Sequence, residues 1–91
     1  LYKVDLSRVH KDFYQLPLYI ITKLHRWIEG VEKNGIEEMR KIPGFHDEPL
    51  KGERKGFRSI RLNKAYRAIY YEKFDAPIFV IVIIEVNKHE Y

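Results

Sequence analysis

The sequence predicts an α+β fold, with helices gathered near the N-terminus and packed on one face of a mainly antiparallel sheet. Three observations lead there. Apolar residues recur at steps of three and four as far as Val31, then alternate or run without interruption after Gly52. Helical and strand-like runs are therefore segregated along the chain, with one strand at the start, which gives the order β-α-α-β-β-β. At 91 residues with no cysteine, the chain has room for one domain, residues 1–91, held by a hydrophobic core and not by disulfides.

Each element has a local reason. Residues 2–6 alternate, with Tyr2, Val4 and Leu6 on one face and Lys3 and Asp5 on the other, the pattern of a short strand. Ser7 is placed to cap a short helix running to about Gln15, which buries Val9 and Phe13. Leu16-Pro17 breaks that helix, and Pro17 suits the first turn of the next one, where no N–H is needed. In the second helix Leu18, Ile21, Leu24, Ile28 and Val31 form an apolar stripe that Ile20 and Trp27 widen. Asn34-Gly35 stops it, Gly35 being free to take the left-handed conformation. Residues 36–42 add a helical turn before Pro43-Gly44 redirects the chain.

The second half reads as strands. Residues 57–62 and 66–72 alternate, with Asn63, Lys64 and Ala65 as a tight connection. Phe74-Asp75-Ala76-Pro77 makes the next turn. Residues 78–84 are apolar throughout, which predicts a central strand covered on both faces. A three-residue loop pairs Leu62 with Tyr66 and Arg61 with Arg67, and paired residues share a face. Ser59, Arg61, Arg67 and Tyr71 then point away from the helices, while Ile60, Leu62, Ala68 and Tyr70 enter the core. A two-residue turn would split the arginines between faces, so the first register is preferred because it keeps charge out of the core.

The formal charge is +4, and it is concentrated: Lys51, Arg54, Lys55, Arg58, Arg61, Lys64 and Arg67 fall in one window opposed only by Glu53. Such a balance favours a polyanionic partner. Exposed arginines on a sheet are commonly just solvated, but here cations from separate segments converge, and adjacent guanidiniums repel unless an anion lies between them. The chain ends in Asn87-Lys88-His89-Glu90-Tyr91, directly after the central strand. A lone histidine near a terminus is usually inert. Beside a basic face, however, the imidazole of His89 and the phenol of Tyr91 are proton-transfer groups. Cations with such a group are what RNA cleavage needs, since a 2′-hydroxyl must be deprotonated and a phosphorane stabilised.

Other chemistries lack their signatures. His10, His25 and His46 show no metal-ligand spacing, so neither a metal nor a cofactor is expected. There is no phosphate-binding glycine loop and no nucleophile elbow. His46-Asp47-Glu48 reads as a polar turn before Pro49. No signal peptide is apparent, and the longest apolar run is too short to span a bilayer. Leu1 in first position is read as a trimmed N-terminus. The absence of cysteine suits the cytoplasm, which is the expected location.

Several stretches together resemble the RelE/ParE toxin superfamily, and its HigB-like branch most. They are Glu48-Pro49-Leu50-Lys51-Gly52, Gly56-Phe57-Arg58-Ser59-Ile60-Arg61-Leu62, Ala65-Tyr66-Arg67-Ala68-Ile69-Tyr70-Tyr71 and Asn87-Lys88-His89-Glu90-Tyr91. The resemblance implies a RelE/ParE-like fold and a type II toxin that cuts mRNA on the ribosome without a metal. Carried across, Lys51 matches an active-site lysine of HigB-like toxins, and Arg61 and Arg67 match phosphate-binding cations. His89 and Tyr91 take the C-terminal catalytic position. Tyr91 or His89 would be the general base, with Lys51 as an alternative, while Arg54, Lys55, Arg58 and Lys64 would contact ribosomal RNA. The pattern departs at Ser59, where RelE has a lysine, and at Glu48, where some HigB toxins have a histidine. The resemblance also implies a cognate, DNA-binding antitoxin and no membrane partner. Two rival readings are a ParE-like gyrase inhibitor without nuclease activity and a plain nucleic-acid-binding module.

Overall fold

The computed structural model of the protein describes residues 1–88. His89 and Tyr91 lie outside the described residues. The elements are β1 (Tyr2–Asp5), a 3-10 helix (His10–Gln15), α1 (Leu18–Asn34), α2 (Ile36–Arg40), β2 (Glu48–Pro49), β3 (Arg58–Arg61), β4 (Tyr66–Asp75) and β5 (Ile78–Lys88). The strands form one five-stranded sheet in the order β1-β5-β4-β3-β2. Only β1 and β5 run parallel, and the other neighbours are antiparallel. The expected α+β class and mainly antiparallel sheet hold, with one strand more than the alternation revealed.

Helix α1 buries Ile20, Leu24, Trp27, Ile28 and Val31 against the sheet. Leu18, expected to begin that stripe, is 77% exposed. Leu18 and Ile20 are roughly 200° apart around a helix, so turning Ile20 into the core turns Leu18 to solvent. Pro17 is the N-cap residue and not the first helical one. Gly35 joins α1 to α2 at φ 87° and ψ 158°. This differs from the expected left-handed turn, but it too is essentially a glycine-only region.

The helix expected from Ser7 is a turn followed by the 3-10 helix. Ser7 does not cap it: the 3-10 helix starts at His10 with Val9 at the N-cap position and no side-chain cap, and the Ser7 N–H donates to Asp5 Oδ1 at 2.9 Å. That backbone hydrogen bond holds the Asp5 carboxyl below the usual carboxylate range. Val9 is nonetheless fully buried, as its spacing suggested.

The β3–β4 pairing follows the three-residue register: Arg61 lies opposite Arg67, Ile60 opposite Ala68 and Ser59 opposite Ile69. Ile60, Leu62, Ala68 and Tyr70 accordingly join the core under the helices. Asn63 fixes the loop by accepting hydrogen bonds on Oδ1 from the N–H groups of Ala65 and Tyr66, at 2.8 and 2.7 Å. The β4–β5 hairpin is longer than expected. Phe74 and Asp75 belong to β4, opposite Phe79 and Ile78, so the turn contracts to Ala76 and Pro77. A bulge where Ile69 and Tyr70 meet β5 lets Ile83 and Val86, three residues apart, both reach the core.

Both sheet edges are guarded. On β1, the Val4 N–H donates to Glu32 Oε2 of α1 at 3.0 Å, so this outward donor is already occupied. On the other side β2 is two residues long and includes Pro49, which has no N–H to offer.

Candidate nucleic-acid interface and cleavage site

Strand alternation sorts the helix-free face of the sheet into rows that cross it. One row carries Arg61, Arg67 and Asn87. The next carries Glu48, Ser59, Ile69 and Glu85. Beyond it the Leu50 N–H donates to the Phe57 carbonyl at 2.9 Å, Phe57 meets Tyr71 edge-on at 5.6 Å, and Tyr71 lies opposite Val82. Polarity thus grades from cationic through carboxylate to aromatic. Ile69 and Val82 are buried on this face although no helix covers it, and Ser59 is buried with them.

A cavity of about 70 Å³ opens at the cationic end, lined by His46, Glu48, Ser59, Ile60, Arg61, Asn63, Lys64, Tyr66 and Arg67. Arg61 is exposed, whereas Arg67 is half-buried. Among the described residues, Arg67 Nε is buried and has no hydrogen-bond partner. A buried donor left unpaired costs about 1–3 kcal/mol, more when charged.

The carboxylate side of the cavity is set by the turn that the sequence shows only as polar residues. The side chain of Asp47 is fully buried. It accepts from Arg58 Nε at 2.6 Å and from the Tyr70 hydroxyl at 2.6 Å. Arg40 Nε donates to the same hydroxyl at 3.3 Å and its guanidinium also pairs with Glu37 and Glu72. Burial, followed by the hydrogen bond to Asp47, pushes the Tyr70 phenol well above its ordinary value. With Asp47 pinned inward, its neighbours His46 and Glu48 face the cavity. His46 takes a left-handed conformation at φ 45° and ψ 51°, and its Nε2 lies 3.4 Å from Glu48 Oε2.

The residues singled out in the sequence divide by location. Arg61, Arg67 and Lys64 line the cavity together. Lys51 does not; it is exposed and precedes the Gly52–Arg54 turn beyond the aromatic row. Arg54 reaches across the face to Glu85 on β5 at 3.1 Å, and Lys55 is exposed in the same loop. Arg58 is not with them, since its strand position sends it to the helix side, onto Asp47. The described part of β5 ends at Lys88, opposite Tyr66 and one position beyond the Arg67–Asn87 pair. The sequence reading missed Glu48 and His46 as cavity residues. The available signal was that Glu48 and Leu50 share parity with a strand edge at Pro49.

No family model matches the chain, and no curated protein matches it. Solved structures do. The YoeB/ParE toxin from Agrobacterium tumefaciens matches with a TM-score of 0.67 at 20% identity, covering 98% of each chain. YoeB in the YoeB-YefM complex from Staphylococcus aureus gives 0.65 at 22% identity, covering 100% of this chain and 97% of that one. The toxin-antitoxin complex RelBE2 from Mycobacterium tuberculosis gives 0.63 at 20% identity, covering 97% and 95%. The rows of the sheet, its two guarded edges and its helix layer are therefore set out on the fold of the RelE and YoeB toxins.

Proposed function

We propose that this chain is a RelE/ParE-superfamily toxin of a type II toxin–antitoxin system that cleaves mRNA on the ribosome without a metal. The observation that carries the reading is a cavity lined together by Arg61, Arg67, Glu48 and His46, in which two guanidiniums stand beside a carboxylate and an imidazole. That is a site for one phosphate next to a base. The neighbouring solved structures are toxins, some of them solved with their antitoxins, which supports the same reading.

In this mechanism Arg61 and Arg67 bind the scissile phosphate and stabilise the charge that builds on its oxygens. A base removes the proton from the 2′-hydroxyl, the O2′–P bond forms and the P–O5′ bond breaks. The departing 5′-oxygen takes a proton. The products are a 2′,3′-cyclic phosphate and a 5′-hydroxyl. Glu48, which lines the cavity, joins His89 and Tyr91 as a candidate base, whereas Lys51 lies beyond the aromatic row, outside the cavity, and is assigned to RNA contact instead. His46, or His89, supplies the proton to the leaving oxygen. Arg54, Lys55 and Lys64 contact RNA phosphates, whereas Arg58 has the structural role of holding Asp47. The partners are a cognate antitoxin, the ribosome and mRNA, in the cytoplasm. Among the described residues no helix is long and apolar enough to cross a membrane.

The test is to map mRNA 5′ ends by primer extension in a reconstituted translation reaction, with and without ribosomes. Cuts that require ribosomes and disappear with Arg67→Ala, Glu48→Gln or His89→Ala/Tyr91→Phe support the reading and locate its base. Intact mRNA accompanied by inhibited DNA gyrase would transfer the assignment to the ParE-like reading.

A further inference from the structure

The face that holds the cavity continues, two rows away, into an aromatic strip that the cleavage chemistry does not use. Phe57 and Tyr71 pack edge-to-face there, with Leu50 and Val82 beside them in the same row. Both rings are half-buried and point away from the helices. Between them and the arginines lies a floor of two buried side chains, Ser59 and Ile69. Arg67 and Tyr71 are four residues apart on one strand, so the cationic and aromatic rows are separated by about 13 Å. That is farther than a single nucleotide reaches and suits a short stretch of extended single strand.

We infer that Phe57 and Tyr71 form a base-stacking subsite for single-stranded RNA, which receives an unpaired base near the one whose phosphate sits on Arg61 and Arg67. The inference rests on the reading of this face as an RNA site. Charge decides the occupant: one end of the strip is flanked by Arg61 and Arg67, the other by the loop carrying Lys51, Arg54 and Lys55. A polyanion can cross the strip with cations at both ends, and every base offers a π-face to an aromatic ring. Of the carboxylates on the intervening row, Glu85 is paired with Arg54. An apolar peptide would fill the strip but bring no counter-charge to Arg61, Lys51 and Lys55, whereas Arg54 already has Glu85.

The probe is a short single-stranded RNA, 2′-O-methylated throughout so that it cannot be cleaved, carrying 2-aminopurine at successive positions. Wild-type protein at low salt should quench the fluorophore strongly at one position, and an abasic site there should weaken binding roughly tenfold or more. Phe57→Leu and Tyr71→Leu keep apolar cover over Ile69 and Val82, so they should remain folded by circular dichroism. Each should abolish both the quenching and the abasic penalty. Failure of the RNA to bind, absence of a quenched position, or variants with undiminished quenching would overturn the subsite. Because this RNA is uncleavable, the two proposals separate. Quenching without mRNA cleavage keeps the stacking subsite and removes the nuclease. Cleavage without quenching does the reverse.

Discussion

Arg67 and Asp47 show how single residues hold the site. Among the described residues the first keeps a buried donor without an acceptor, and the second is a buried acceptor with two donors. Asp47→Ala would leave the Tyr70 hydroxyl and the half-buried Arg58 without their acceptor. It should lower stability by about 1–3 kcal/mol, measured by urea unfolding. Tyr70 adds a pH dependence. Its folded-state pKa is raised, so its contribution is complete below the ordinary tyrosine value of 10.0 and is lost as pH rises above it. Unfolding midpoints followed from pH 9 upward should fall in the wild type and fall less in Tyr70→Phe. Equal slopes would mean that the phenol does not govern the alkaline limb. Arg61 and Arg67 could be read from the sequence because strand alternation fixes their direction. Asp47 could not, because its burial depends on partners 11 and 23 residues away.

Among the elements, legibility followed length. The periodicity of α1 was plain over seventeen residues, yet its first turn pointed otherwise than the stripe suggested, because Leu18 faces away from the sheet. The two-residue β2 is too short to show any period, and with it Glu48 was hidden. Ser7 caps nothing because the N-cap position falls two residues later, at Val9. Helix packing supplies a sharper test. A Cβ on Gly30 would lie 2.4 Å from Met39 Sδ, between α1 and α2. The atoms it meets are the flexible end of Met39, so Gly30→Ala should displace the thioether at little cost and gain up to about 1 kcal/mol in helix propensity. A thermal midpoint lowered by several degrees would show that Met39 cannot yield.

For the whole molecule, the fold places a charge gradient on one sheet face and the hydrophobic core on the other. The net charge of +4 comes from a window that the topology gathers around that face. RNA affinity should fall steeply with salt, and Lys55→Ala/Lys64→Ala should reduce the slope of log K against log salt by about 1.4. An unchanged slope would remove both lysines from the RNA interface. The sequence carried the sheet register and the position of the basic face. It did not carry the carboxylate side of the cavity, which exists only once Asp47 is pinned beneath it.

The most direct test of the central claim compares ribosome-dependent mRNA cleavage rates at saturating protein for wild type, Arg67→Ala and Lys55→Ala. If Arg67 stabilises the scissile phosphate in the transition state, Arg67→Ala should lose on the order of 10²–10³-fold in rate, and Lys55→Ala should cleave at nearly the wild-type rate. Equal rates for wild type and Arg67→Ala would mean that this guanidinium has no part in the chemistry, contrary to the mechanism.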